Sequence, residues 1–303
     1  MKLLEAIRNT RKFALVALFA IVAVFGLWGL AFFFNASPAT FSGRRAYAHV
    51  TAQMELGPRV IGSAANVAAG NYIADQVKTA GWSVEFQPFV YQGTPARNVV
   101  ARANVGKGPV VILGAHYDSR RRADRDPAHA TEPVPGADDG ASGVAVLLEL
   151  ARTLDRQRIS NELWLAFFDA EDNGGLDGWD WIVGSTYMAD HLTVQPEAMI
   201  LVDMVGDADQ RFYFDSNSDP GLSAQVWATA ARLGYGEHFI PVARWAMTDD
   251  HIPFARRGIP ALDIIDFDYP YWHTTADTAD KVSADSLERI GRVLEAFLET
   301  PER

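Results

Sequence analysis

The chain has 303 residues, 49% hydrophobic and 21% charged, with a net charge of −11 and no cysteine. Such an acid excess excludes a nucleic-acid partner, which needs clustered Lys and Arg against phosphates. The lack of cysteine excludes disulfides and thiolate metal sites, so any metal is held by nitrogen and oxygen.

Residues 13–34 (FALVALFAIVAVFGLWGLAFFF) form an uncharged apolar run of 22 residues, enough to cross a hydrocarbon core of ~30 Å. Lys2, Arg8, Arg11 and Lys12 precede it, against one acid, Glu5. This pattern predicts a retained single-pass anchor, with residues 1–12 cytoplasmic and everything after the span outside. The alternative is a cleaved signal peptide, whose apolar stretch is shorter, about 7–15 residues. Ser37-Pro38-Ala39 is a poor cleavage site for one. Residues 35–45, opening NASPATFSG, read as a tether. Residues 46–303 remain as one domain of about 260 residues.

Residues 64–80 carry apolar side chains at helical spacing and stop at Gly81. Residues 82–89 alternate as a strand, and 98–103 and 109–115 are two more. Residues 120–135, charged and Pro-containing, read as a surface loop in which Arg120–Arg122 form a solvated basic face. A helix is expected at 142–154, a buried strand bounded by acids at 162–168, and a Gly- and Asp-rich loop at 172–180. Residues 199–203, 212–214 and 259–267 add strands, and 221–233 and 284–298 add helices. Arg256-Arg257 reads as a second solvated basic pair. Alternating strand and helix predicts a mainly parallel sheet with helices on both faces, and nothing marks a second soluble domain.

Ligand-type residues recur at the ends of these apolar runs. His116 and Asp118 stand in GAHYDS, directly after VVILGA. Asp138 and Asp139 stand in PGADDGASG before a helix, where one Asp serves as a cap and two exceed that need. LWLAFFDAED closes with Asp169, Glu171 and Asp172, which repel one another unless cations neutralise them. Asp203 ends AMILVD, and His273 follows Tyr271 and Trp272 in YPYWHTTAD. Ligands of open α/β sheets bind beyond the carboxyl ends of strands. These acids and imidazoles therefore predict one metal site in a metal-dependent hydrolase or transferase.

The ordered series GAHYDS, GADDGASGVAVLLELAR, FFDAED, LVDMVGD, DDHIPF and WHT spans roughly residues 50–298. It resembles the zinc-dependent aminopeptidase and glutaminyl cyclase superfamily, metallopeptidase family 28. The resemblance implies an α/β three-layer sandwich with a mixed, mostly parallel central sheet of the phosphorylase/hydrolase type, and one or two Zn²⁺ ions. It implies that Asp139 bridges, that Asp172 and His273 hold the primary zinc, and that His116 and Asp203 hold a second zinc in two-metal members. Asp172 is Asp where relatives also use Glu. Glu171 matches the general acid/base.

Two chemistries run in that superfamily. Aminopeptidases activate water between two zincs and release the first residue of a peptide. Glutaminyl cyclases polarise the side-chain amide of an N-terminal Gln, which the substrate's own α-amine attacks as ammonia leaves. Three features resemble the animal-type cyclases. DDHIPFARRGIPAL includes Asp249, which the resemblance hydrogen-bonds to the acids at 171 and 203. Trp272 directly precedes His273, as a pocket-lining Trp does. A long stretch from Glu171 to Gly184-Ser185 holds Trp179 and Trp181 as substrate-facing residues. The alternatives are an Asp249 or Asp250 cap on a helix near Pro253, packing for Trp272, and a lid or membrane-facing patch for Trp179 and Trp181. Asp263 departs from the pattern, standing where animal cyclases have a histidine.

The expectation is a cyclase-like zinc enzyme with Glu171, Asp249 and Asp203 catalytic. It acts on peptides with a free N-terminus and is tethered to a membrane by its first helix. A zinc aminopeptidase is the alternative. A silent, tethered binding ectodomain is a third reading, against which the complete ligand set argues.

Overall fold

The computed structural model describes residues 39–300. The anchor expected at 13–34, the segment 1–12 and the first four residues of the tether, 35–38, lie outside the described residues. Among the described residues no helix is long and apolar enough to cross a membrane.

Six strands form the central sheet: β1 (Ser83–Tyr91), β2 (Thr94–Ala103), β3 (Val110–His116), β4 (Glu162–Phe168), β5 (Ala198–Asp203) and β8 (Ala261–Ile265). Their order is β1-β2-β4-β3-β5-β8. β1 pairs β2 and β2 pairs β4 antiparallel, whereas β4, β3, β5 and β8 run parallel. The sheet is thus mixed, with its buried centre parallel. β6 (Phe212–Asp215) and β7 (Phe239–Trp245) make a separate parallel pair.

Side chains alternate across a strand, so each central strand feeds two cores. In β3, Val111, Leu113 and Ala115 enter the larger core with Val50, Ile73, Leu150 and Ile290. These come from α1 (Gly43–Met54), α2 (Ala64–Thr79), α3 (Ala141–Thr153) and α7 (Ala284–Glu299). Val110 and Ile112 face the other way, towards Met188 of α4 (Val183–Asp190) and Phe254 of α6 (Ile252–Ala255). The expected three layers result. α5 (Pro220–Arg232) starts with Pro220 at its first position and with Asp219 accepting from the Leu222 amide at 2.7 Å. α2 starts with the Ser63 hydroxyl accepting from the Asn66 amide at 3.1 Å. In α3, Gly143 lets the helix touch β5, since a Cβ there would lie 2.2 Å from the Val202 carbonyl oxygen.

Two expectations change. The end of the tether already belongs to the domain: Phe41 is buried against Gly291 and α1 begins at Gly43. The loop at 120–135 is only partly a surface loop, because Arg120, Ala123 and Val134 are buried in it.

Candidate metal centre and its pocket

The parallel strands deliver the ligand-type residues to one edge of the sheet. His116 ends β3, Asp203 ends β5, Glu171 and Asp172 follow β4, and Asp139 lies just before α3. Three bends at this edge place non-glycine residues in the left-handed region: Ala170 (φ 62°), Met204 (φ 43°) and His273 (φ 57°). Each costs of order 1–3 kcal/mol and persists only where surrounding structure imposes it, a pattern concentrated at functional sites.

Two three-residue groups share Asp139: His116–Asp139–Asp203 and Asp139–Asp172–His273, all buried. His116 Nε2 lies 3.1 Å from Asp139 Oδ1 and 3.1 Å from Asp203 Oδ1. His273 Nε2 lies 3.0 Å from Asp172 Oδ1 and 3.7 Å from Asp139 Oδ2. Asp139 Oδ2 and Asp172 Oδ2 are buried without a hydrogen-bond partner. Beside two buried imidazoles, these unpartnered oxygens are free to take a cation. An all-nitrogen-and-oxygen set of imidazole and carboxylate fits Zn²⁺.

A ring of supporting residues fixes these groups. Asp118 accepts from the Glu171 and Asp172 amides at 3.0 and 3.2 Å, and lies 3.6 Å from His116 Nδ1. Asp277 accepts from the Asp138 and Asp139 amides and from the Tyr269 hydroxyl. Arg59, fully buried, donates to the carbonyls of Tyr117, Pro135 and Gly136. Arg120 grips Asp124 through two nitrogens at 2.7 and 2.9 Å and donates to the Asp172 carbonyl at 2.9 Å. Asp124 in turn faces His273 Nδ1 at 3.6 Å. Arg120, expected on a solvated face, is therefore structural to the site. Of this ring, only Asp118 and Asp277 lie inside the motifs GAHYDS and WHTTAD. Arg59, Arg120 and Asp124 act largely through backbone carbonyls or other charged groups, which leave no spacing to read.

A pocket opens over the ligands, lined by Glu171, Asp203, Asp249, Trp181, Phe267 and Trp272 among others. The Trp272 ring stacks on His273 at 3.8 Å between centroids, and Trp181 lies parallel to His273 at 5.9 Å. Trp179 does not line this pocket. It packs in a separate apolar cluster with Phe89 and Ala170, edge-on to Tyr91, under the Arg121 guanidinium. Asp249 and Asp250 do not cap α6, whose start has no side-chain cap. Asp249 Oδ1 instead accepts from the Asp250 amide at 2.6 Å. Asp249 meets Asp203 as a neighbouring charge: burial first, then Asp203, push its carboxyl up to about 7. Burial likewise raises Glu171 well above the usual carboxylate range, with Asp172, Asp249 and Asp250 adding to it and His116 opposing. Behind them Asp250, His251 and Asp263 are wholly buried.

The Peptidase family M28 model matches residues 98–298. A glutaminyl-peptide cyclotransferase-like protein of Mus musculus is 29% identical over 282 residues, covering 78% of this chain and 70% of its own. A glutaminyl-peptide cyclotransferase of Bos taurus is 27% identical and covers 81% and 80%. Among solved structures, Porphyromonas gingivalis glutaminyl cyclase is similar at 36% identity and a TM-score of 0.82, covering 86% of this chain and 99% of that one. A leucine aminopeptidase precursor of Bacteroides thetaiotaomicron is similar at 32% identity and a TM-score of 0.82, covering 88% and 99%.

Proposed function

The chain belongs to peptidase family M28, and from that premise we propose that it is a zinc-dependent glutaminyl-peptide cyclotransferase. It closes the N-terminal glutamine of a peptide to pyroglutamate and releases ammonia. The observation that carries this reading is the pocket: buried Glu171 shares a cavity of about 200 Å³ with Asp203, Asp249 and the His273-stacked Trp272. Such a cavity suits one side chain.

Asp139, Asp172 and His273 would hold the zinc, which would supply a Lewis acid for the substrate's side-chain amide. Glu171 accepts a proton from the α-amine as its nitrogen bonds to the amide carbon. It returns that proton to the amide nitrogen as the carbon–nitrogen bond breaks and ammonia leaves. A carboxyl raised by burial and by Asp172 and Asp249 is suited to carry a proton both ways. Trp272 and Trp181 wall the mouth and keep water from competing with the amine. One zinc is the count this reading requires. Asp139, Asp172 and His273 are the set that would hold it, with Asp139 Oδ2 and Asp172 Oδ2 buried and unpartnered beside His273.

A second reading, a zinc aminopeptidase, is favoured by the sharing of Asp139 between two ligand groups, as a bridged two-metal site requires. One experiment separates them. The full chain in detergent, loaded with zinc, is given a peptide beginning with Gln, and the products are weighed. A peptide lighter by one ammonia supports the cyclase; free Gln with a shortened peptide overturns it in favour of the aminopeptidase.

We also propose that residues 13–34 anchor the chain, with the enzyme domain on the extracytoplasmic side. The charge-free run and the basic residues before it support this. Retention in the membrane pellet after alkaline wash, with protease access from outside, is the expected result. A soluble, shortened chain would indicate cleavage.

A further inference from the structure

Beside the catalytic pocket lies a second, larger groove of about 500 Å³. It runs between the end of β1 (Phe89, Val90, Tyr91) and the side of α4 that carries Thr186 and Tyr187, with His191 just past the helix end. Trp181 and Thr248 line both cavities, so the two share a wall and the mouth of one meets the other. A peptide whose first residue fills the catalytic pocket can continue past Trp181 and Thr248 into the neighbouring groove.

The groove is built for apolar side chains. Phe89 and Tyr187 stack at 4.9 Å, and Tyr187 and His191 stack at 4.0 Å, giving a continuous aromatic wall. Val90, 68% exposed, stands on its rim. Both acids on the groove are engaged: Asp180 accepts from the Tyr91 hydroxyl at 2.5 Å, and Asp190 faces Arg257 at 3.8 Å. Arg256, exposed on the opposite side, makes no ion pair among the described residues.

We propose that this groove binds the peptide substrate beyond its first residue. An apolar or aromatic second residue lies against Phe89 and Tyr187, and a carboxylate further along meets Arg256. The assignment rests on reading the catalytic pocket as the seat of a peptide's N-terminal residue. It makes the enzyme selective for the residues after the terminal glutamine, and not for the glutamine alone.

The test uses the zinc-loaded full chain and three matched substrates: Gln-Phe-Ala-amide, Gln-Gly-Ala-amide and glutamine amide. The quantity read is the ratio of kcat/KM for the Phe peptide to that for the Gly peptide. An aromatic side chain entering an apolar site makes this ratio about tenfold or more. In Tyr187→Ala, and independently in the rim variant Val90→Asp, the ratio falls to within about twofold of one. A fold defect lowers all three substrates together and leaves the ratio intact, so the two causes separate. A wild-type ratio near one overturns the proposal, as does a wild-type ratio that survives both substitutions. The readout also separates this idea from the chemistry beneath it. If the peptides yield free Gln, the cyclase reading fails, yet the same ratio measured on hydrolysis still tests the groove.

Discussion

At the residue scale, the proposed function divides the work between groups that would bind the cation and one, Glu171, that would move a proton. Glu171→Gln keeps the pocket's shape and removes the proton carrier. It should retain stoichiometric zinc and lose at least about 100-fold in kcat, measured by ammonia release; near-normal turnover would refute the role. The two histidines are predicted to part company. His273→Ala should lose the zinc, because Asp139 and Asp172 alone make a poor set, whereas His116→Ala should keep it. Metal analysis after dialysis decides, and loss in both variants would favour a two-metal centre. These residues could be picked out of the chain because each is a metal-binding type beside an apolar run or a helix start, and the fold brings them together. Arg59, Arg120 and Asp124 could not, since a buried Arg that bonds carbonyls looks in sequence like any surface Arg. Trp179 misled for the opposite reason. It is two residues from Trp181, but one indole packs in the cluster with Phe89 and the other is left 37% exposed, lining the pocket.

At the element scale, the strands that carry the site were the most legible. β4 covers the expected 162–168, and β3 and β5 fall within a residue of expectation, because burial on both faces writes an unbroken apolar run. β7 was missed: most of FIPVARW is exposed and it contains Pro241. α1, with GRRAYAHVTAQM, and the short α4, with VGSTYMAD, have too weak an apolar pattern to declare themselves. The contact between α3 and β5 carries a prediction. Gly143→Ala puts a methyl 2.2 Å from the Val202 carbonyl oxygen, which cannot yield without moving the strand. Overpacking of this kind costs about 1–3 kcal/mol. Because α3 follows Asp139 and β5 ends in Asp203, the displacement should also weaken zinc. Denaturant melts with and without zinc would show both effects. Unchanged stability would mean that the helix tolerates the shift.

At the scale of the whole molecule, the acid excess is concentrated inward as well as outward. Burial raises Asp249, Asp266 and Asp277 to about 7 each. An unfolded Asp titrates near ~4, so the folded chain holds these protons more tightly. Their contribution is therefore complete below pH ~4 and is lost as pH rises through about 7. Zinc works the other way, since its ligands must be deprotonated to bind. The Tm difference between zinc-loaded and zinc-stripped protein should accordingly be larger at pH 8 than at pH 5. A gap that stays constant across that range would contradict zinc binding through groups that must first lose their protons.

The pair of indoles facing His273 has an optical consequence. Trp272 stacks on that imidazole and Trp181 lies parallel to it, and a protonated or metal-bound imidazole quenches indole emission differently. If zinc binds at His273, these two indoles would report its loading. Zinc titration should change the emission of the native chain, and Trp272→Phe with Trp181→Phe should silence the signal although six other tryptophans remain of the eight.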